Sequence, residues 1–202
     1  MDKIGGTQYV NPFNCWYTSC FSLQDLGLQN EMRLLWEQHV YWTKSAVQAL
    51  ILNSPNKEQV LNRLLRNATD MGTILIPYYG KVRADEYSAL IKTHLTIAAD
   101  LVGAASKGDN EEFENLNKKW LQNAADIAHF WSAINPFLSQ SETEEMFINH
   151  LDLLKAEVVY LLQKDYTAAI DLFDEIEIQA LHMADEFSLA MIKQFSYPAY
   201  YM

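Results

Sequence analysis

The feature that most constrains the fold is the spacing of apolar residues, which recurs about every 3.6 residues over long stretches of the chain. In the first such stretch, residues 28–53, apolar side chains stand at positions 32, 35, 36, 40, 47, 50 and 51. The chain shows neither the alternation of a half-buried strand nor a hairpin turn signal. The sequence therefore predicts an all-α protein.

Turn and capping residues divide this helical sequence into segments. We predict helices over about 28–53, 56–66, 82–107, 110–136, 141–164 and 167–195. Two breaks are predicted from the sequence "RNATDMG" and from "IPYYG", in which Pro77 and Gly80 end a short apolar stretch. Gly108 is predicted to cap the C-terminus of the helix over 82–107, and the "DN" that follows it is predicted to cap the N-terminus of the next helix. The sequence "SETE" at 141–144 is a predicted capping box at the start of the fifth helix. The expected fold is an up-and-down bundle of four to six helices, ferritin-like in general architecture.

The chain of 202 residues is long enough for one domain with a sizeable core. We expect a non-helical segment over 1–22, a helical bundle domain over 23–196, and an aromatic tail over 197–202. Tyr and Trp are abundant and aromatic residues occur at both ends, so a homodimer is the expected assembly.

A net charge of -11 and a pI near 4.8 disfavour a nucleic-acid partner and an anionic membrane surface. No apolar run approaches the ~20 residues that span a bilayer. A cytoplasmic protein is therefore expected. Cys15 and Cys20 have no second pair to complete a zinc site, and we expect both to be reduced thiols of minor structural importance.

Three histidines occupy positions where an apolar core residue is expected. His39, His94 and His150 are each followed by Val eight residues later, and each lies on the apolar face of its helix. His39 and His94 fall near the midpoints of their helices, and His150 is within one turn of the midpoint of its own. In an up-and-down bundle these midpoints lie at one level, so the three rings are expected to converge.

Other polar residues are predicted at the same level. Glu157 lies seven residues after His150 on the same stripe, Glu177 is on the inner face of the last helix, and Asn123 is central on the fourth. Neutral imidazoles and carboxylates on separate helices are ligands by which bundles hold metals. The sequence predicts a metal site of His39, His94, His150 and Glu177, supported by Glu157 or Asn123, that binds one iron, zinc or manganese ion.

The alternative is a core in which each histidine hydrogen-bonds a carboxylate or a backbone carbonyl, with no ion. The protein would then be a non-enzymatic structural or interaction protein, with a polar layer that fixes the helix register. His129 and His182 have acidic neighbours on their own helices and are not expected to be ligands.

Motifs for other chemistries are absent from the sequence. It contains no G-x-S-x-G elbow, no P-loop, no G-x-G-x-x-G and no Glu-x-x-His pair of the di-iron type. Neither a reaction nor a small-molecule ligand is indicated by any motif.

Several blocks of the chain resemble a group of small bacterial all-helical proteins without an established activity, some of which carry the automatic label acetylglutamate kinase. The blocks are "LLWEQHVYWTKSAV", "LLRNATDMG", "THLTIAADLV", "NAADIAHFWSAINPF" and "NHLDLLKAEVV", and the likeness covers about residues 28–192. The resemblance implies a helical bundle, with a pattern that includes His39, His94, His150, Asp174 and Glu177. An amino-acid kinase is an α/β protein with glycine-rich phosphate loops, and this chain shows neither.

Overall fold

The computed structural model describes residues 22–195, and its regular structure over that range is entirely helical. The six helices are α1 (Leu23–Ile51), α2 (Lys57–Thr73), α3 (Ile76–Lys107), α4 (Asn110–Ile134), α5 (Gln140–Gln163) and α6 (Tyr166–Phe195). The predicted all-α class is confirmed. The expectations for the N-terminal segment and for the aromatic tail fall on residues outside the described range.

Four of the six described helices, α1, α4, α5 and α6, begin at polar caps that accept hydrogen bonds from free backbone N–H groups. Ser22 and Asp25 form a capping box at the start of α1, in which each side chain accepts a hydrogen bond from the backbone of the other. Asp109 accepts from the backbone N–H of Glu112 at the start of α4, as predicted. The cap of α5 is Ser139, which accepts from Glu142, so this helix starts slightly before the predicted "SETE" box.

The first predicted break is wrong in position, and the second is confirmed at Gly80 but not at Pro77. The sequence "RNATDMG" continues α2 to Thr73, and Pro77 lies in the first turn of α3 instead of ending a helix. Proline is tolerated there because the first N–H groups of a helix have no intrahelical partner. The real interruption is Gly80, whose φ of 77° departs from helical geometry, so the regular part of α3 starts close to the predicted residue 82.

The helices form a closed ring. Each helix packs against the next one in the sequence, and α6 packs against α1. The connections are short, so consecutive helices run antiparallel and α1, α3 and α5 all run in the same direction. Helix α1 also contacts α3 and α5, so these three helices meet at the centre of the ring. The predicted helical bundle is confirmed, with six helices over residues 22–195.

Aromatic side chains fill much of the core around this centre. The largest fully buried ones are Trp36, Trp120, Trp131, Phe147 and Phe187. None of the six described helices is both long and apolar enough to cross a membrane.

Candidate functional site

The structure brings His39, His94 and His150 together at the centre of the bundle. Their side chains are buried, with 3%, 2% and 4% exposure. The ring centroids are 5.7 Å apart for His39 and His150, 6.4 Å for His94 and His150, and 6.5 Å for His39 and His94. Because α1, α3 and α5 run in the same direction, equivalent positions near their midpoints lie at one height.

Each of these histidines is hydrogen-bonded to an amide on the following helix. Nδ1 of His39 lies 3.0 Å from Oδ1 of Asn67. Nδ1 of His94 lies 2.9 Å from Oδ1 of Asn123, and Nδ1 of His150 lies 2.9 Å from Oε1 of Gln179. The three helical hairpins α1–α2, α3–α4 and α5–α6 therefore repeat the same contact.

The amides also bond the helix that carries the histidine. Their nitrogens donate to the carbonyl four residues before each histidine: Asn67 to Leu35 at 3.0 Å, Asn123 to Leu90 at 3.2 Å and Gln179 to Met146 at 3.1 Å. A backbone carbonyl only accepts, so it holds each amide with its nitrogen toward the helix and its oxygen toward the ring.

This orientation determines the histidine tautomer. An amide oxygen accepts and cannot donate, so Nδ1 of each ring must carry the proton. In the neutral ring Nε2 then has a free lone pair. The Nδ1 atoms are thus bound to the amides of α2, α4 and α6, and Nε2 is the ring nitrogen left to bind another group.

The surroundings keep the rings neutral. Burial, and then the neighbouring His150, lowers the pKa of His39 to about 3. Burial and the other two rings hold the pKa of His94 well below its usual value, and burial lowers that of His150. The shifts arise from burial, from the rings themselves and from the amides. Neutral imidazole is the form that binds metal.

Aromatic residues contact the histidines directly. Trp36 packs against His39 at a centroid distance of 5.4 Å and against His150 at 6.2 Å. Trp120 lies 5.2 Å from His94, and Phe147 lies 6.1 Å from it. The three rings therefore sit in a water-poor part of the core.

The two predicted carboxylates lie in different surroundings from the histidines. Glu177 is half-buried beside Glu37, and partial burial followed by this neighbouring carboxylate raises the pKa of Glu37. Glu37 stands two residues before His39 and therefore on another side of α1. Glu157 is two turns beyond His150, about 10 Å along the helix axis.

Glu157 is nevertheless unusual, because its side chain is only 1% exposed. Burial raises its pKa to about 7, and the charge of Lys44 partly opposes the shift. Its Oε1 atom has no hydrogen-bond partner among residues 22–195. The Lys44 ammonium lies 3.6 Å from the centroid of the Phe173 ring.

The remaining two histidines lie outside the centre, as expected. His129 and His182 are exposed. Nδ1 of His129 is 3.3 Å from Oε1 of Gln140, and Nδ1 of His182 is 4.0 Å from Oε1 of Glu186.

Asn67 and Gln179 were missed from the sequence, whereas Asn123 was expected at this level. Asn67 falls within "RNATDMG", where a helix break was predicted. A signal was present, because the amide follows its histidine by 28, 29 and 29 residues in the three hairpins.

Within the part of the chain that the structure describes, no group of three or more His, Cys, Asp or Glu side chains is arranged to hold a metal ion. Comparisons of the chain with models of protein families, with curated proteins and with solved structures find no match. The case for a function therefore depends on the chemistry of the central residues.

Proposed function

We propose that the protein binds a single transition-metal ion through the Nε2 atoms of His39, His94 and His150. One observation carries the proposal: the repeated bond from amide to ring and from amide to helix backbone. It fixes the same tautomer in three neighbouring histidines and leaves an Nε2 lone pair on each ring. Hydrogen bonding of the other ring nitrogen is the usual way in which a protein orients a metal-binding histidine.

A cation explains these lone pairs better than a closed hydrogen-bond network does. A buried acceptor without a donor costs free energy, and three acceptors cannot satisfy one another. One ion would satisfy all three at once. The neutral state of the rings adds support, because a metal does not then have to displace protons at neutral pH.

The spacing of the rings is close to what an ion requires. Three imidazoles bound to one zinc-like ion place their ring centroids about 5.5 Å apart. The His39–His150 distance of 5.7 Å nearly matches this value, whereas the two distances to His94 are 6.5 and 6.4 Å. Binding therefore requires His94 to approach the other two rings by about 1 Å.

The donor set narrows the choice of metal. Three neutral nitrogens suit zinc, copper or iron, whereas manganese prefers oxygen ligands. Of the iron, zinc and manganese expected from the sequence, manganese is therefore the least suited. We leave Glu177 out of the ligand set because it pairs with Glu37, and Glu157 because of its height on α5.

Other expectations remain predictions. They are the ferritin-like architecture, the homodimer, the cytoplasmic location and the resemblance to the uncharacterised bacterial group. Ferritin-like di-iron sites use Glu ligands from four helices, and a site of three histidines differs from them in chemistry.

The second candidate is a protein without a metal, whose histidines and amides only fix the helix register. The 6.4 and 6.5 Å distances to His94 favour it, because they exceed the spacing around an ion. In that case each histidine would be satisfied through Nδ1 alone.

Metal analysis of the variants H39L, H94L and H150L separates the two candidates. Protein without a polyhistidine tag is analysed for metals as purified, and again after chelation and titration with Zn²⁺. We expect one ion per wild-type chain, and a loss of binding of at least about 100-fold in each variant, because a ligand is removed.

The exposed histidines supply matched controls, since the variants H129L and H182L should bind the metal ion as tightly as the wild type does. Folded wild-type protein that contains no metal, takes up none, and melts at the same temperature with and without chelator would contradict the proposal.

A further inference from the structure

A groove with a volume of ≈ 780 Å³ opens between α1, α2 and the start of α3. On α1 its lining runs from Gln24 to Gln38, which is about 21 Å along the helix axis. Leu28, Leu35 and Ile74 are buried apolar members of the lining. The groove therefore offers apolar surface together with side-chain amides that form hydrogen bonds.

Large apolar side chains are exposed beside this groove. Leu23 is 89% exposed, Leu26 is 43% exposed and Ile76 is 42% exposed. Each of them is next in the sequence to a residue that lines the groove. A single exposed apolar residue needs no explanation, but several around one cleft mark a binding surface.

The sequence that precedes α1 has the chemistry to cover this surface. Residues 4–21, "IGGTQYVNPFNCWYTSCF", contain no Asp, Glu, Lys or Arg, although these residues make up 20% of the chain. The aromatic residues among them are Tyr9, Phe13, Trp16, Tyr17 and Phe21. Removal of such side chains from water is favourable, and the Thr, Asn, Gln and Ser residues between them suit a lining that is partly polar.

We propose that residues 4–21 dock in this groove of their own chain. The segment joins α1 at the cap Ser22, and the lining begins at Gln24, so the segment meets the helix at the end of the groove. A chain of this length spans up to about 60 Å when extended, which is enough to turn back and reach Gln38. The covalent connection favours this segment over a separate molecule, because it gives the segment a high effective concentration at the groove.

Gly27 leaves room for the contact. It lies within α1 and lines the groove, and a Cβ atom at this position would have nothing within 4 Å in the described part of the chain. Glycine inside a helix is unfavourable relative to alanine, so packing within the bundle does not account for it. A segment that passes close to the backbone of α1 at this point uses the space.

The two native cysteines make the docking measurable. Cys15 and Cys20 are the only cysteines of the chain, and both lie in the segment. The probe is a short bismaleimide, which joins two thiols that lie close together. In a background with Cys20→Ser, which keeps Cys15 as the one native thiol, a second thiol is introduced by T73C in the groove or by E186C on α6.

The two introduced thiols are matched in exposure and differ in their relation to the groove. Thr73 and Glu186 are both exposed. Thr73 lines the groove, whereas Glu186 follows Asp185, which pairs with Arg33 of α1, and no α6 residue is in the lining. A segment that does not dock would reach both sides of α1. We expect the link to T73C to form at least about 10-fold faster, after each rate is normalised to reaction with a monofunctional maleimide.

A groove-filling variant gives a second measurement. Gly27→Leu places a bulky side chain where the segment is proposed to lie, so it should slow the link between Cys15 and T73C at least about fivefold. Gly103→Leu is the matched control, because Gly103 also has nothing within 4 Å of its Cβ position and lines a different cavity. It should leave the rate unchanged.

Four outcomes would overturn the proposal. Two of them are equal normalised rates at T73C and E186C, and a T73C link that Gly27→Leu does not slow. A link that forms only between two chains would assign the groove to a second copy. A faster link to T73C from Tyr200→Cys, in protein with Cys15→Ser and Cys20→Ser, would assign it to the aromatic tail.

Discussion

At the scale of single residues, the amides of Asn67, Asn123 and Gln179 decide which nitrogen of each histidine is free. Periodicity placed the histidines on inward faces, because apolar residues surround them at helical spacing. It does not identify the partner of a polar side chain, since that partner lies on another helix. Glu177 shows the same limit: its position on the inner stripe of α6 was predicted to bring it to the histidines, yet it pairs with Glu37.

Asn123→Ala tests the role of the amides. The variant leaves the Nδ1–H group of His94 and the carbonyl of Leu90 buried without their present partner, so the metal-free protein should lose about 1–3 kcal/mol of unfolding free energy. Metal affinity should fall about 10- to 100-fold, because the ring is no longer oriented. Urea denaturation with chelator and calorimetric titration measure the two effects. Asn117→Ala, on the same helix and outside the site, is the control and should alter neither quantity appreciably.

Glu157→Gln should change how stability depends on pH. The pKa of Glu157 is raised from 4.5 to about 7 in the folded protein, so the unfolded chain releases its proton first. In the wild type, the contribution of the Glu157 carboxyl to the unfolding free energy is therefore fully present below pH 4.5 and is lost as pH rises through 7. The variant cannot ionise, and relative to the wild type it should gain up to about 3 kcal/mol between pH 4.5 and pH 8. The measurement is the difference in urea midpoint between the variant and the wild type, taken at pH 4.5 and at pH 8. The same difference at both pH values would show that the carboxyl does not titrate in this way.

At the scale of helices, the sequence located the apolar faces and the caps at Gly108 and Asp109, because both depend on neighbouring residues. The end of α2 was missed because Gly72 and Pro77 resemble breakers. In the structure Gly72 is a packing residue: a Cβ atom there would lie 1.8 Å from Ser88 Oγ and 2.5 Å from the Ala84 carbonyl oxygen. Tertiary contact with α3 explains the glycine, and a single segment cannot reveal that contact.

Gly72→Ala should therefore destabilise the protein by about 1–3 kcal/mol, because the backbone of α3 must shift to accept the methyl group. The change in unfolding free energy from urea denaturation measures this cost. Gly103→Ala is the matched control in α3, since nothing lies within 4 Å of its Cβ position. That variant should be stabilised by about 0.5–1 kcal/mol. Stabilisation of both variants would show that α2 and α3 do not approach so closely.

At the scale of the whole molecule, three like hairpins form a ring and bring the three histidines to one height. The common height could be predicted from helix midpoints. The closure of α6 against α1 could not, because it joins the two ends of the described chain and no local pattern encodes it. The repetition of the hairpin was visible only in part, as a histidine followed by valine eight residues later.

Acid should destabilise the metal-free protein. Its histidines have lowered pKa values, that of His39 falling from 6.5 to about 3, so the unfolded chain binds protons first as pH falls. Their contribution is present above pH 6.5 and is lost as pH falls toward 3. We expect the unfolding free energy from urea denaturation to drop by at least about 1 kcal/mol between pH 7 and pH 5, although Glu157 acts in the opposite direction. H94L should show a smaller drop, and an equal drop would contradict the assignment of the effect to these rings.

The closed ring also bears on the ancestry of the chain. With α6 packed against α1, no hairpin is first or last in space, and each packs against two neighbouring hairpins. Such an arrangement is what two duplications of one hairpin gene would produce. Three separate copies of that ancestral hairpin, related by a threefold axis, would already have brought three histidines together. On that origin, fusion into one chain would have freed each copy to diverge, and the longer Gln179 in place of an asparagine would be one such divergence within the shared contact.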